Sequence, residues 1–271
     1  MSKEVLLSLG LTTIVGLSMG LGSLVSFFVK ETNKRFLSLS LSFSAGIMIY
    51  VSFMAILPEG MELIESYYGE HNNIIALCGF FGGMLITAIV EKLVHKFGGH
   101  YHGHDHDHHD HHHHDNEEGE HLSKLGLMSA VAIAIHNLPE GLAIFTAGLK
   151  DITVAIPIAA AVILHNIPLS IAISVPIFYS TGSKKKAFIY SSLVGLCQPL
   201  GAILGYLILS RFFNDLVFGI LFSIVAGIMI FVSLDELLPS SQKHEDHHIS
   251  VYGAIAGMAV MALSMTVFHI H

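Results

Sequence analysis

"AGIMIYVSFMAILP" (Ala45–Pro58) returns as "AGIMIFVSLDELLP" (Ala226–Pro239), and this recurrence decides the fold. The two copies lie 181 positions apart. "GLSMGLG" from Gly16 likewise echoes "GLCQPLG" from Gly195 at an offset of 179, and Gly83-Met84 has a weaker echo in Gly257-Met258. Pro, Gly and Met recur in register along with Leu and Ile, which chance similarity among apolar segments does not supply.

The recurring stretches sit in a chain of 271 residues that is 52% hydrophobic and only 13% charged. Soluble domains carry about 25% charged residues, and the mean hydropathy of +0.65 points the same way. Eight apolar stretches have the length of about 20 residues that a membrane helix needs. They run over roughly 5–29, 36–57, 73–94, 125–149, 152–180, 186–209, 216–239 and 250–270. The first is too long for a signal-peptide core and only Lys3 supplies an n-region charge, so it reads as a true span. Cys78 and Cys197 fall inside spans and say little about redox compartment. The sequence leaves no room for a separate soluble domain, so residues 1–271 form one all-α integral membrane domain.

Spans one to three are repeated as spans six to eight. Each repeat lies five spans from its partner and so points the opposite way. The expected architecture is therefore a bundle of three, two and three helices, related by a two-fold axis in the membrane plane. Inverted repeats of this kind belong to transporters, whose substrate binds near the midplane. Of the thirteen Lys and Arg residues, Lys3, Lys150 and Arg211 fall on one side and the other ten on the opposite side. The positive-inside bias puts the richer side in the cytoplasm and both termini outside.

The two central spans carry "HNLPEGLAI" from His136 and "HNIPLSIAI" from His165, 29 positions apart. Ionisable groups at membrane depth face the bundle interior and mark sites or pathways. His136 and Glu140, at i and i+4, share a helix face. An imidazole and a carboxylate so placed can grip one divalent cation, with His165 as a third ligand from the neighbouring helix. Asn137, Asn166 and Gln198 add amide oxygens. Pro139 and Pro168 each free the carbonyl four residues back, beside a motif histidine. Such carbonyls are tolerated in lipid only against protein, water or an ion. The linker between spans three and four, about 98–123, is a His-rich cytoplasmic loop, "HYHGHDHDHHDHHHHDNEEGEH", of a composition that binds transition metals weakly without folding. Glu59, Glu62, Glu65 and Glu70 crowd the outer end of span two.

On these residues the chain resembles the ZIP (Zrt/Irt-like) family of divalent-metal transporters, most closely its bacterial ZupT branch. "HNLPEG" is the most specific element, supported by "HNIP", by "AGIM" on spans two and seven, and by "DELLP" from Asp235. The resemblance covers nearly the whole chain. It implies metal uptake into the cytoplasm across the inner (plasma) membrane through a binuclear site, by alternating access of spans one, four, five and six past the others. By motif position, His136, Glu140 and His165 would hold one metal. Asn137, Asn166 and Gln198 would flank the second, with Glu140 bridging. The chain departs from the family pattern at Leu169, Gln198 and Ala55, where relatives commonly carry glutamate.

The expected function is transport of zinc, and by donor chemistry also iron, manganese or cobalt, since mixed N and O ligands suit these ions better than Mg²⁺, Ca²⁺ or Cu⁺. The metal is substrate, and no cofactor is implied. Divalent metal ions and the lipid bilayer are the expected partners; relatives are often dimers, and nucleic acid has no place in this reading. The missing carboxylates keep a second reading open, a ZIP-like metal sensor or regulator impaired in transport. An intramembrane metal-dependent hydrolase would use the same His and Glu to activate water, but there is no HExxH motif, and the chain is not expected to be an enzyme.

Overall fold

A computed structural model describes residues 3–26, 34–69, 73–97, 115–212, 214–243 and 247–269. The His-rich tract up to residue 114, and Glu70, lie outside the described residues. Every regular element among the described residues is helical: α1 (Lys3–Ser26), α2 (Lys34–Val51), α3 (Leu57–Tyr68), α4 (Asn73–Phe97), α5 (Asp115–Lys150), α6 (Ile152–Thr181), α7 (Lys184–Gly195), α8 (Cys197–Leu209), α9 (Asp215–Val232), α10 (Leu238–Gln242) and α11 (His247–His269). Seven stretches among the described residues are long and apolar enough to cross a membrane: Lys3–Leu24, Arg35–Tyr68, Asn73–Leu93, Ile152–Thr181, Lys184–Leu209, Asp215–Gln242 and His247–Val267. The chain is an all-α, multi-pass membrane protein. Helix α5 contains the remaining apolar run, residues 125–149.

Three boundaries depart from the sequence reading. Helix α5 begins at Asp115, ten residues before the expected span and inside the expected loop. Span two does not stop at Leu57 but runs on to Tyr68. Pro58 is accommodated because Ser52–Ile56 widen into a π turn, where the Leu57 N–H reaches back five residues to the Ser52 carbonyl. The same device recurs at Ser233–Leu237 ahead of Pro239, with the Leu238 N–H on the Ser233 carbonyl. The two π turns lie 181 positions apart, the offset of the sequence recurrence. Span six breaks at Leu196, between α7 and α8. Pro199 lacks the N–H that would have bonded the Gly195 carbonyl.

In lipid, helices associate through close van der Waals contact, for which small residues clear the way. A Cβ on Gly16 would lie 2.4 Å from the Gly195 carbonyl oxygen, and one on Gly195 would lie 2.1 Å from that of Gly16. A Cβ on Gly46 would stand 2.0 Å from the Ala254 oxygen, and one on Gly227 1.9 Å from the Phe80 oxygen. Gly22 faces the Ile167 carbonyl as Gly201 faces that of Leu138. Within each of these sets the residues are related by the sequence offsets: 179 for Gly16 to Gly195 and Gly22 to Gly201, 181 for Gly46 to Gly227, 174 for Phe80 to Ala254, 29 for Leu138 to Ile167.

At larger scale α2 packs on α11 as α9 packs on α4, and α1 packs on α6 as α8 packs on α5. Some buried serine hydroxyls are satisfied by the preceding turn, Ser52 on Met48 O and Ser233 on Met229 O, both at 2.7 Å. Others reach across helices, Ser44 to the His165 carbonyl at 3.3 Å. At the tight α5–α6 turn Asp151 caps α6 through Thr153 N–H and Oγ1, both 2.8 Å away, and these bonds hold its carboxyl below the ordinary carboxylate range. Lys150, one residue earlier, reaches Glu59 of α3 at 3.9 Å and Asp215 of α9 at 3.8 Å.

Candidate metal centre

Helices α5, α6 and α8 bring three of the anticipated residues together inside the bundle. His165 Nε2 stands 3.0 Å from Glu140 Oε1, with the two side chains 1% and 7% exposed. Gln198 Nε2 donates to the other carboxylate oxygen, Oε2, at 2.7 Å. A buried carboxylate is costly unless charge or hydrogen bonds compensate it, and the imidazole and the amide supply that compensation.

The two motif asparagines serve the helices on either side. Asn166 donates through Nδ2 to the Val15 carbonyl and to Ser18 Oγ, each at 3.1 Å, and toward Gln198 Oε1 at 3.5 Å. Asn137 donates through Nδ2 to the Val194 carbonyl at 3.0 Å and to Met19 Sδ at 3.2 Å. Both amides are buried, and their oxygens are thereby turned away from α1 and α7. Asn166 Oδ1 and His165 Nδ1 are buried without a hydrogen-bond partner. Carboxylate, imidazole and amide oxygen form a mixed N and O set of the kind that takes Zn²⁺, Fe²⁺ or Mn²⁺.

His136 is placed differently from the expectation. Its Nδ1 points toward Glu236 Oε2 at 3.6 Å, and Glu91 of α4 completes a trio whose ligand atoms all lie within 4.8 Å of one another. No other His, Cys, Asp or Glu trio among the described residues is that close, so His136, Glu140 and His165 do not close on one point in this structure. His136 and Glu140 do line a common small cavity, with Met48, Pro139, Val225 and Met229. His136 Nδ1 and Glu236 Oε2 are also buried without a hydrogen-bond partner.

Neither Glu91 nor Glu236 stands among the site residues read from sequence. Glu236 is visible there as the counterpart of Ala55 and as part of the "DELLP" motif, not as a metal ligand. Glu91 had a usable signal, a carboxylate inside a span that is otherwise apolar. Met19 and Ser18 of α1 carry no sequence signal of their own.

The family model described as ZIP zinc transporter matches residues 2–106 and 95–265. The chain belongs to the ZIP zinc transporter family. Its relatives include proteins named zinc transporter ZupT from Streptococcus mutans, 47% identical over 99% of this chain and 100% of the relative, and from Clostridium perfringens, 46% identical over 98% and 97%. A third, from Lysinibacillus sphaericus, is 47% identical over 98% of both. The family is one of transporters rather than of enzymes.

Proposed function

We propose that this chain carries divalent transition-metal ions, zinc first and iron, manganese or cobalt by the same donors, from outside into the cytoplasm by alternating access. The observation that carries the reading is the buried Glu140–His165–Gln198 cluster, an acidic, mixed-donor site far from either end of α5 and α6. The similarity to proteins named zinc transporters supports the choice of metal. The N and O donors favour zinc and its neighbours over Mg²⁺ or Cu⁺.

The recurrence of π turns and glycine contacts at fixed offsets supports eight spans arranged as an inverted repeat, with α5 and α6 beside the axis. Alternating access then follows from two similar halves exchanging roles about a fixed site. The Lys and Arg distribution supports cytoplasmic placement of the α4–α5 linker. The Glu91, His136 and Glu236 trio lies toward that linker from Glu140 along α5, and serves as the station through which an ion leaves the central site. The His-rich tract beyond it would buffer released metal.

Zinc flux into sealed vesicles is the deciding experiment. Uptake by the unaltered chain, abolished by Glu140→Gln, is the expected result. Zinc-independent behaviour of well-folded protein in both orientations would exclude transport.

A further inference from the structure

Two hydrogen bonds of each motif asparagine match. Asn137 bonds the Val194 carbonyl and Met19 Sδ, while Asn166 bonds the Val15 carbonyl and reaches Gln198 Oε1, with an additional bond to Ser18 Oγ. Asn137 and Asn166 are 29 positions apart, and Val15 and Val194 are 179 apart, as are Met19 and Gln198. These are the offsets that also relate the glycine contacts. Each residue of the matching bonds therefore has a counterpart, and Met19 of α1 stands where Gln198 stands on α8.

Extended to the ions' own ligands, the correspondence pairs His165 with His136 and Glu140 with Leu169. One half of the centre then consists of Glu140, His165, Asn166 and Gln198: a carboxylate, an imidazole and two amides. The other consists of Leu169, His136, Asn137 and Met19. It keeps an imidazole and an amide, but the carboxylate and the second amide are replaced by apolar side chains. Met19 is fully buried and Leu169 is 5% exposed, so neither is displaced from the interior.

We propose that Met19 and Leu169 together fill the second half of a two-fold metal centre, so that the chain binds a single ion there, in the Glu140 half. A dication in a dry site is held chiefly by anionic oxygen, and the Met19–Leu169 half has none. The thioether is a weak acceptor. Its Sδ lies beside the Asn137 amide nitrogen, in a role that an amide oxygen fills in the other half. The same substitution explains the turn of His136 toward Glu236: the carboxylate that His165 finds in Glu140 is absent for His136 at Leu169. The inference rests on the Glu140 half being the transport site.

The test is to locate and count zinc in the full chain. Anomalous scattering from zinc-soaked crystals of the unaltered protein should place one ion against Glu140 and His165, and none beside Met19 and Leu169. Equilibrium dialysis should show that Met19→Gln with Leu169→Glu binds one more zinc per chain than the unaltered protein, since the His-rich tract contributes equally to both. An ion beside Met19 in the unaltered protein overturns the inference and leaves the Glu140 site standing. An unchanged zinc count in a folded double variant also overturns it. If the double variant does not fold, the crystals decide alone, and an ion in neither half removes both the site and the inference built on it.

Discussion

Glu140 is the carboxylate on which the central cluster depends, and each of its oxygens is engaged, one by His165 and one by Gln198. Replacing it with glutamine keeps the shape but removes the anion. A dication in a dry site is held chiefly by anionic oxygen, so zinc binding between α5 and α6 should weaken roughly a hundredfold or more, about 3 kcal/mol at 1.4 kcal/mol per factor of ten. Thermal unfolding in the absence of metal should change little by comparison, and calorimetry on the two proteins measures both quantities. Glu236→Gln should behave otherwise. It leaves the Glu140 cluster intact, so zinc should still bind there, while flux into vesicles falls severalfold because His136 loses the acid it faces at 3.6 Å. Equal flux from Glu236→Gln and unaltered protein would remove the trio from the pathway. The difference between these two sites also marks what a sequence can disclose. Glu140, His165 and Gln198 are legible because they fall in motifs on spans adjacent in the chain or tied by the recurrence. Glu91 and His136 lie on the consecutive helices α4 and α5, but Glu236 joins them from the π turn a hundred positions further on, and helical spacing within one element does not say which faces of separate elements meet.

At the scale of elements, a turn type sets where span two ends. Proline removes a helical hydrogen bond, and Pro58 lies just past the end of the apolar stretch read as span two. The π turn ahead of it shifts the bonding by one residue, and the helix goes on through Glu59, Glu62 and Glu65 to Tyr68. No local residue preference announces a π turn. Only its recurrence at Ser233–Leu237 makes it recognisable as a designed feature of the chain. The glycines, by contrast, are legible as a class but not individually. Gly195→Ala would force a methyl to within 2.1 Å of the Gly16 carbonyl. Backbone must then move, and overpacking of this kind costs about 1–3 kcal/mol. Gly10, in the same helix as Gly16, has nothing within 4 Å of the Cβ position. Gly10→Ala should therefore be neutral or stabilise by about 0.5–1 kcal/mol, the ordinary gain of alanine over glycine in a helix. Parallel melting curves of the two variants in detergent give the comparison, and equal effects would mean that the α1–α7 crossing does not depend on close backbone contact.

For the whole molecule the question is which way the bundle stands in the membrane. Lys150 and Asp151 end α5 and open α6, and Lys150 joins Glu59 and Asp215 at that end. Helix α6 then runs 30 residues to Thr181. At 1.5 Å per residue this is about 45 Å, which carries the chain across a bilayer core of about 30 Å to Lys184, Lys185 and Lys186 at the start of α7. The two ends therefore lie on opposite faces, and their charge is opposite in character. One has a lysine among carboxylates, the other three lysines in a row. Cationic loops are retained in the cytoplasm, and this bias predicts that the Lys184–Lys186 end faces inward and the Glu59, Glu62 and Glu65 end outward. With Cys78 and Cys197 replaced by serine, a cysteine at position 65 should react with an impermeant thiol reagent added to intact cells. A cysteine at position 185 should react only after the membrane is opened. Labelling of position 185 in intact cells would invert the molecule, turn the trio at His136 into the mouth rather than the exit, and reverse the direction of metal movement.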